Sequence, residues 1–143
     1  MKAQNFENHA RYYLFHHFVL TPLTLIYLGY TLYTINQHES VSEAIQSLLL
    51  AVILLLIPLL SRIYALKNQN RIIVMEMRQR YFELTGKRFE PKEQKLKTGQ
   101  IIALRFASDE ELIPLMEQAI LENLTNKAIK RAIKNWRPDY RRV

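Results

Sequence analysis

The chain has 143 residues, enough for one modest domain or a small membrane anchor with a tail, and it contains no cysteine. Disulfides, thiol catalysis and cysteine-ligated metals are therefore excluded. The formal charge is +7 and the mean hydropathy is -0.13, but both averages conceal a division: apolar residues crowd the first half and charges the second.

Residues 1–13 read as a polar N-terminal segment ending in interfacial aromatics. Tyr12, Tyr13, Phe15, His16, His17 and Phe18 form a cluster of rings of the kind that favours the headgroup level of a bilayer. No fixed charge then appears between Arg11 and Glu39, and again none between Glu43 and Arg62. A bilayer core of roughly 30 Å needs about 20 helical residues to cross it. These stretches predict a first transmembrane helix over 14–35 and a second over 44–61, joined by an extracytoplasmic loop over 36–43. The first run begins late, is long for a signal core and lacks a small-x-small exit, which argues against a cleaved leader.

The first span is rich in hydroxyls. Thr24, Tyr27, Thr31 and Thr34 fall on one side at helical spacing, which predicts a helix interface facing protein. The competing reading is that each threonine bonds a carbonyl of its own helix and faces anything. In the loop, Ser40 or Ser42 is placed to cap the second helix, with Glu43 near its positive end. Pro58 lies inside that helix and predicts a kink or a freed carbonyl.

No helix breaker occurs from Ser61 to Thr85, so the second span is expected to continue as a cytoplasmic helical stalk over 62–86 and end at Gly86. Ile63, Leu66, Ile73, Val74, Met77, Tyr81 and Leu84 roughly follow a stripe along it. Residues 87–143 form a basic helical cytoplasmic tail, beginning with a charged linker to Lys97 that contains Pro91. Gly99–Phe106 is an apolar helical or extended run. Ser108-Asp-Glu-Glu111 fits a capping box, although Pro114 could move the helix start to itself. Leu112, Leu115, Met116, Ala119, Ile120 and Leu124 supply the apolar face behind it.

A last helix is expected from Thr125 or Asn126 to about Trp136. It would set Ile129, Ile133 and Trp136 on a packing face, opposite Lys127, Lys130, Arg131 and Lys134. Those cations fit contact with anionic lipid or a partner protein. A charged helix face is more often simply solvated, over the tail's own core. Binding nucleic acid through phosphates is the third reading, and no recognition motif accompanies it.

Lys2 and Arg11 precede the first span, Arg62, Lys67 and Arg71 follow the second, and the loop between has neither lysine nor arginine. By the positive-inside rule both termini lie in the cytoplasm. His9, His16 and His17 invite a metal or haem, but a metal site needs three or four convergent ligands and nothing completes one. No Asp, Glu, Lys or Arg sits within the spans, as proton relays need. Only three glycines occur, none in a phosphate-cradling loop, and no nucleophile with its base is visible. These patterns predict no catalytic, cofactor-binding or metal residues.

Several segments resemble a known family. They are Asn5-Phe-Glu-Asn-His9, Tyr12, His17-Phe-Val-Leu20, the run from Gln100 to Leu112 and the run from Ala128 to Tyr140. Together they are similar to small bacterial two-span membrane proteins classed as a domain of unknown function. The resemblance covers nearly the whole chain and implies a bacterial cytoplasmic membrane, with no assigned activity. The fold class expected is all-α, an integral membrane helical hairpin with a cytoplasmic helical tail. The function expected is that of a non-catalytic accessory or structural subunit of a membrane complex. A self-associating membrane scaffold is the alternative, and a histidine-ligated redox or metal subunit a distant third. Membrane lipids and other subunits, or further copies of the chain, are the expected partners.

Overall fold

The computed structural model describes residues 4–8 and 12–139. The molecule is all-helical, and among the described residues the β-structure is a single antiparallel bridge between Ala107 and Trp136. It divides into two compact units: one within Arg11–Leu66, the other joining the N-terminal residues to the chain from Lys67 onward.

The first unit opens with a π-helical turn, Phe15–Leu20, which leads into α1, Thr21–Thr34, and a closing 3-10 turn, Ile35–Gln37. The widened turn has a local cause. Pro22 carries no N–H for the i−4 ladder, and its ring crowds the preceding turn. Thr21 answers with two bonds to one acceptor: its backbone N–H and its hydroxyl both donate to the His16 carbonyl, the latter at 2.8 Å. Phe15–Gln37 is long and apolar enough to cross a membrane, and so is the next helix, α2, Val41–Thr85. The connection between them is shorter than the loop read from sequence, because Asn36 and Gln37 remain helical and α2 starts at Val41. Ser40 caps α2, its Oγ accepting from the Glu43 N–H at 3.2 Å.

Each long helix of this unit carries one covered side. Thr24 and Thr31 are buried on α1, and Ala51 and Pro58 on α2. Both pairs are spaced by seven, the repeat that keeps one seam of a helix against a neighbour. Leu25, Ile26, Ile53 and Ile57 are among the large apolar side chains left exposed on these stretches, while Leu28, Leu48 and Leu55 are half-buried.

α2 runs unbroken from Val41 to Thr85. It stops at Gly86, whose φ of +67 is the left-handed geometry that terminates helices and that glycine adopts without strain. The Gly86 N–H donates to the Phe82 carbonyl at 2.7 Å.

The second unit packs α2 from Ile73 onward against four short helices. These are α3, Glu90–Glu93; α4, Thr98–Leu104; α5, Asp109–Leu121; and α6, Asn126–Ala132. Its core is one contiguous cluster including Ile73, Met77, Tyr81, Phe89, Leu104, Phe106, Leu112, Met116 and Ile129. Two ion pairs tie α3 down: Arg78 to Glu93, and Lys92 to Glu117. Both pairs are largely solvent-facing and contribute little.

One open alternative closes here, and two expectations are corrected. α5 begins at Asp109 with Ser108 as its cap, and Pro114 sits inside the helix rather than starting it. The capping box is half formed: Ser108 Oγ accepts from the Glu111 N–H at 3.3 Å, but the Glu111 carboxylate does not return to its cap. It accepts instead from the backbone N–H groups of Lys134 and Asn135, at 3.2 and 3.1 Å. Finally, α6 ends at Ala132, well short of Trp136, because Ile133 turns to extended geometry and the chain then pairs with Ala107.

Candidate functional site

The densest polar arrangement of the second unit centres on Arg80. This side chain projects from α2 beside the core residues Met77 and Tyr81, and it is 9% exposed. Its Nε and Nη2 donate to Asp109, at 2.7 and 2.6 Å. Nη2 also reaches the Ala107 carbonyl at 2.7 Å, and Nη1 the Arg105 carbonyl at 3.2 Å. One guanidinium therefore satisfies carbonyls left at the end of α4 and pairs with the first residue of α5. Burial pulls the Arg80 pKa below the ordinary arginine value, and Asp109 opposes that shift.

Asp109 also accepts from Arg137 at 3.2 Å, and Arg105 pairs with Asp139 at 3.2 Å. A cleft of about 480 Å³ opens beside these pairs, lined by Arg80, Arg105 and Arg137 together with Glu76, Glu83 and Asp139. Charges of opposite sign are interleaved within it, so it presents no field of one sign. The arrangement holds α2, the α4–α5 junction and the C-terminal segment together. Among the described residues no three His, Asp or Glu side chains converge as metal ligands would.

The N-terminal segment belongs to the same unit. Gln4 Oε1 accepts from the Asp139 N–H at 2.8 Å, and the Arg131 guanidinium lies 5.3 Å from the centre of the Phe6 ring. Residues preceding the first apolar helix thus pack on the domain that follows the second.

A sequence profile of a family of unknown function, DUF6526, matches residues 1–143. The chain belongs to that family. No curated protein and no solved structure matches it.

The residues singled out from this DUF6526 member's sequence fall as follows. On α1, Thr24 and Thr31 are buried, and Tyr27 and Thr34 are half-buried. The threonine hydroxyls bond within their own helix, Thr24 to the Thr21 carbonyl, Thr31 to Tyr27 and Thr34 to Tyr30. His16 and His17 meet edge to face with ring centres 5.0 Å apart, and Tyr12 stands against His17 at 5.4 Å. His9 lies outside the described residues.

In the tail Ile129 and Ile133 are buried, and Trp136 is half-buried with its ring 5.1 Å from that of Phe106. Lys127, Arg131 and Lys134 are exposed, while Lys130 is half-buried and lies 5.8 Å from the Phe106 ring centre. The four cations therefore do not form one uninterrupted solvent face. Sequence reasoning missed Arg80, Asp109 in its pairing role, and Gln4. Arg80 did carry a signal, since it stands at helical spacing within the stripe of Ile73, Met77, Tyr81 and Leu84.

Proposed function

We propose that this protein is a non-catalytic accessory or structural subunit of a complex in the bacterial cytoplasmic membrane. A two-helix transmembrane hairpin anchors it, and a compact basic domain is presented on the cytoplasmic side to protein or anionic lipid. The observation that carries this reading is the packing of Gln4 and Phe6 on the domain that follows α2. A segment before the first span and a domain after the second share one unit, which supports an even number of crossings.

Two further features support the hairpin. The connection between the long helices is short, and the covered side of each is built of small residues or proline. The absence of Lys and Arg from the connection supports the cytoplasmic side for both termini. The domain's polar groups link its own segments, as Arg80 and Glu111 do, which suits a rigid module that is carried and displayed. Extraction in mild detergent, affinity purification of the full chain and mass spectrometry test the role. Foreign subunits in fixed stoichiometry are expected; recovery of this chain alone overturns it.

A further inference from the structure

The face of α2 turned away from the domain core carries an apolar row that is exposed among the described residues. Ile72, Met75 and Phe82 are 56%, 65% and 57% exposed, and Gln79 between them is exposed as well. The steps from 72 to 75, 79 and 82 are three, four and three, the spacing of a coiled-coil seam. On a helix of 3.6 residues per turn the four positions fall within an arc of about 80°, nearly opposite Ile73, Met77, Arg80 and Tyr81. The exposed row is thus separate from the surface the domain uses for its own core.

Charges flank the row asymmetrically. Arg71 and Arg78 lie along one edge, Glu76 and Glu83 along the other. When two parallel copies meet on such a row, the edge of one faces the opposite edge of the other, five residues further along. Arg71 then faces Glu76 of the second copy, and Arg78 faces Glu83. An antiparallel pair would instead set arginine against arginine and glutamate against glutamate. Two copies anchored with the same orientation in a membrane can meet only in parallel.

We propose that this row is a self-association surface, and that its occupant is a second copy of the chain joined as a parallel two-stranded coiled coil. Ile72 and Gln79 take the first core position of successive heptads and Met75 and Phe82 the fourth. A polar residue at a first position is the device that fixes register and strand number. Within one chain Arg78 donates to Glu93 through Nε and Nη2, leaving Nη1 toward the second copy, and Gln79 donates to Glu83 at 2.8 Å. The Arg71–Glu76 pair therefore dominates the matching. So short a coiled coil is marginal for free peptides, but confinement to one membrane raises the effective concentration of the two strands. The inference is independent of the foreign-subunit role, since a self-paired chain and a chain bound to other subunits give products of different mass.

Cysteine crosslinking of the full chain in membranes tests it, with no native cysteine to compete. Met75→Cys should oxidise to a homodimer several-fold more than Leu84→Cys, which is 40% exposed on the far side of the helix. Arg71→Glu should reduce the Met75→Cys product, and adding Glu76→Arg to that variant should restore it. Restoration also shows that the single reversal did not act by unfolding the chain. Equal crosslinking at 75 and 84, indifference to Arg71→Glu, or a product whose mass includes a foreign protein would each overturn the proposal.

Discussion

Arg80 and Asp109 are 29 residues apart in sequence, yet two nitrogens of the Arg80 guanidinium rest on one oxygen of the Asp109 carboxylate. The pair joins the helix that carries the apolar span to the first turn of α5. Arg80 also donates to the Arg105 and Ala107 carbonyls, so removing it costs more than an ion pair. Leaving such carbonyls buried without a donor costs about 1–3 kcal/mol.

Arg80→Ala should therefore destabilise the domain by about 2–3 kcal/mol. Asp109→Ala should cost less, because the carboxylate is half-exposed and the vacated side of Arg80 can be hydrated. Arg80→Lys should fall between wild type and Arg80→Ala, keeping the charge but losing the planar fork that reaches three acceptors at once. Urea unfolding of the full chain in detergent, followed by Trp136 emission, orders the variants. A midpoint for Arg80→Ala equal to wild type would show that the cluster does not hold the domain.

What the sequence revealed and what it hid divide along contact range. The end of α2 at Gly86, the cap at Ser108 and the cap at Thr125 follow from residues within one turn of each other, and each was readable. The Thr125 hydroxyl, for example, accepts from the Ala128 N–H at 3.1 Å. Glu111 was half readable. Its place three after Ser108 signals a capping box, but its carboxylate serves the backbone of Lys134 and Asn135 instead. The spacing of Trp136 from Ile129 and Ile133 suits a helix. The competing partner, the Ala107 backbone, has no local signature. The same holds for Gln4 and Asp139, which are 135 residues apart.

Thr31 separates two ways an apolar helix can use a hydroxyl. It is 3% exposed, and its Oγ1 donates to the Tyr27 carbonyl of its own helix at 2.9 Å. The hydroxyl proton is thus used within α1, which favours filling a small seat over donating a bond across the seam. Thr31→Val, with the same shape and no hydroxyl, should change stability by less than about 0.6 kcal/mol. Thr31→Leu should cost about 1–3 kcal/mol by overpacking. Thermal unfolding in detergent reads both, and a larger loss for valine than for leucine would return the hydroxyl to the interface.

The side of the membrane is decided by fusion. Alkaline phosphatase folds to activity only outside the cytoplasm. A fusion after Gln37 should be active and one after Val143 inactive, as the cation-free connection and the cation-rich chain after α2 require. High activity from the Val143 fusion would place the domain outside and remove the basis for the cytoplasmic reading.

Trp136 is the last test, and the structure sharpens what it should report. The ring is half-buried against Phe106, and the segment carrying it is pinned on both sides by backbone bonds. Ser108 N–H donates to the Asn135 carbonyl at 3.0 Å, and Arg137 N–H to Phe106 at 2.7 Å. The aromatic therefore belongs to the domain's own packing. Trp136→Ala should destabilise the domain by about 2 kcal/mol, below the full cost of a core tryptophan because part of the ring is already in water. Lys130→Ala should cost about 1 kcal/mol, between the values of an exposed and a desolvated cation over an aromatic face. Internal packing is indifferent to salt, whereas docking on an anionic leaflet through Lys127, Arg131 and Lys134 weakens as ionic strength rises. Emission from this single tryptophan, and its quenching by iodide, should therefore be the same in liposomes and detergent and unchanged by salt. A blue shift in anionic liposomes that salt reverses would instead show the ring leaving Phe106 for the leaflet.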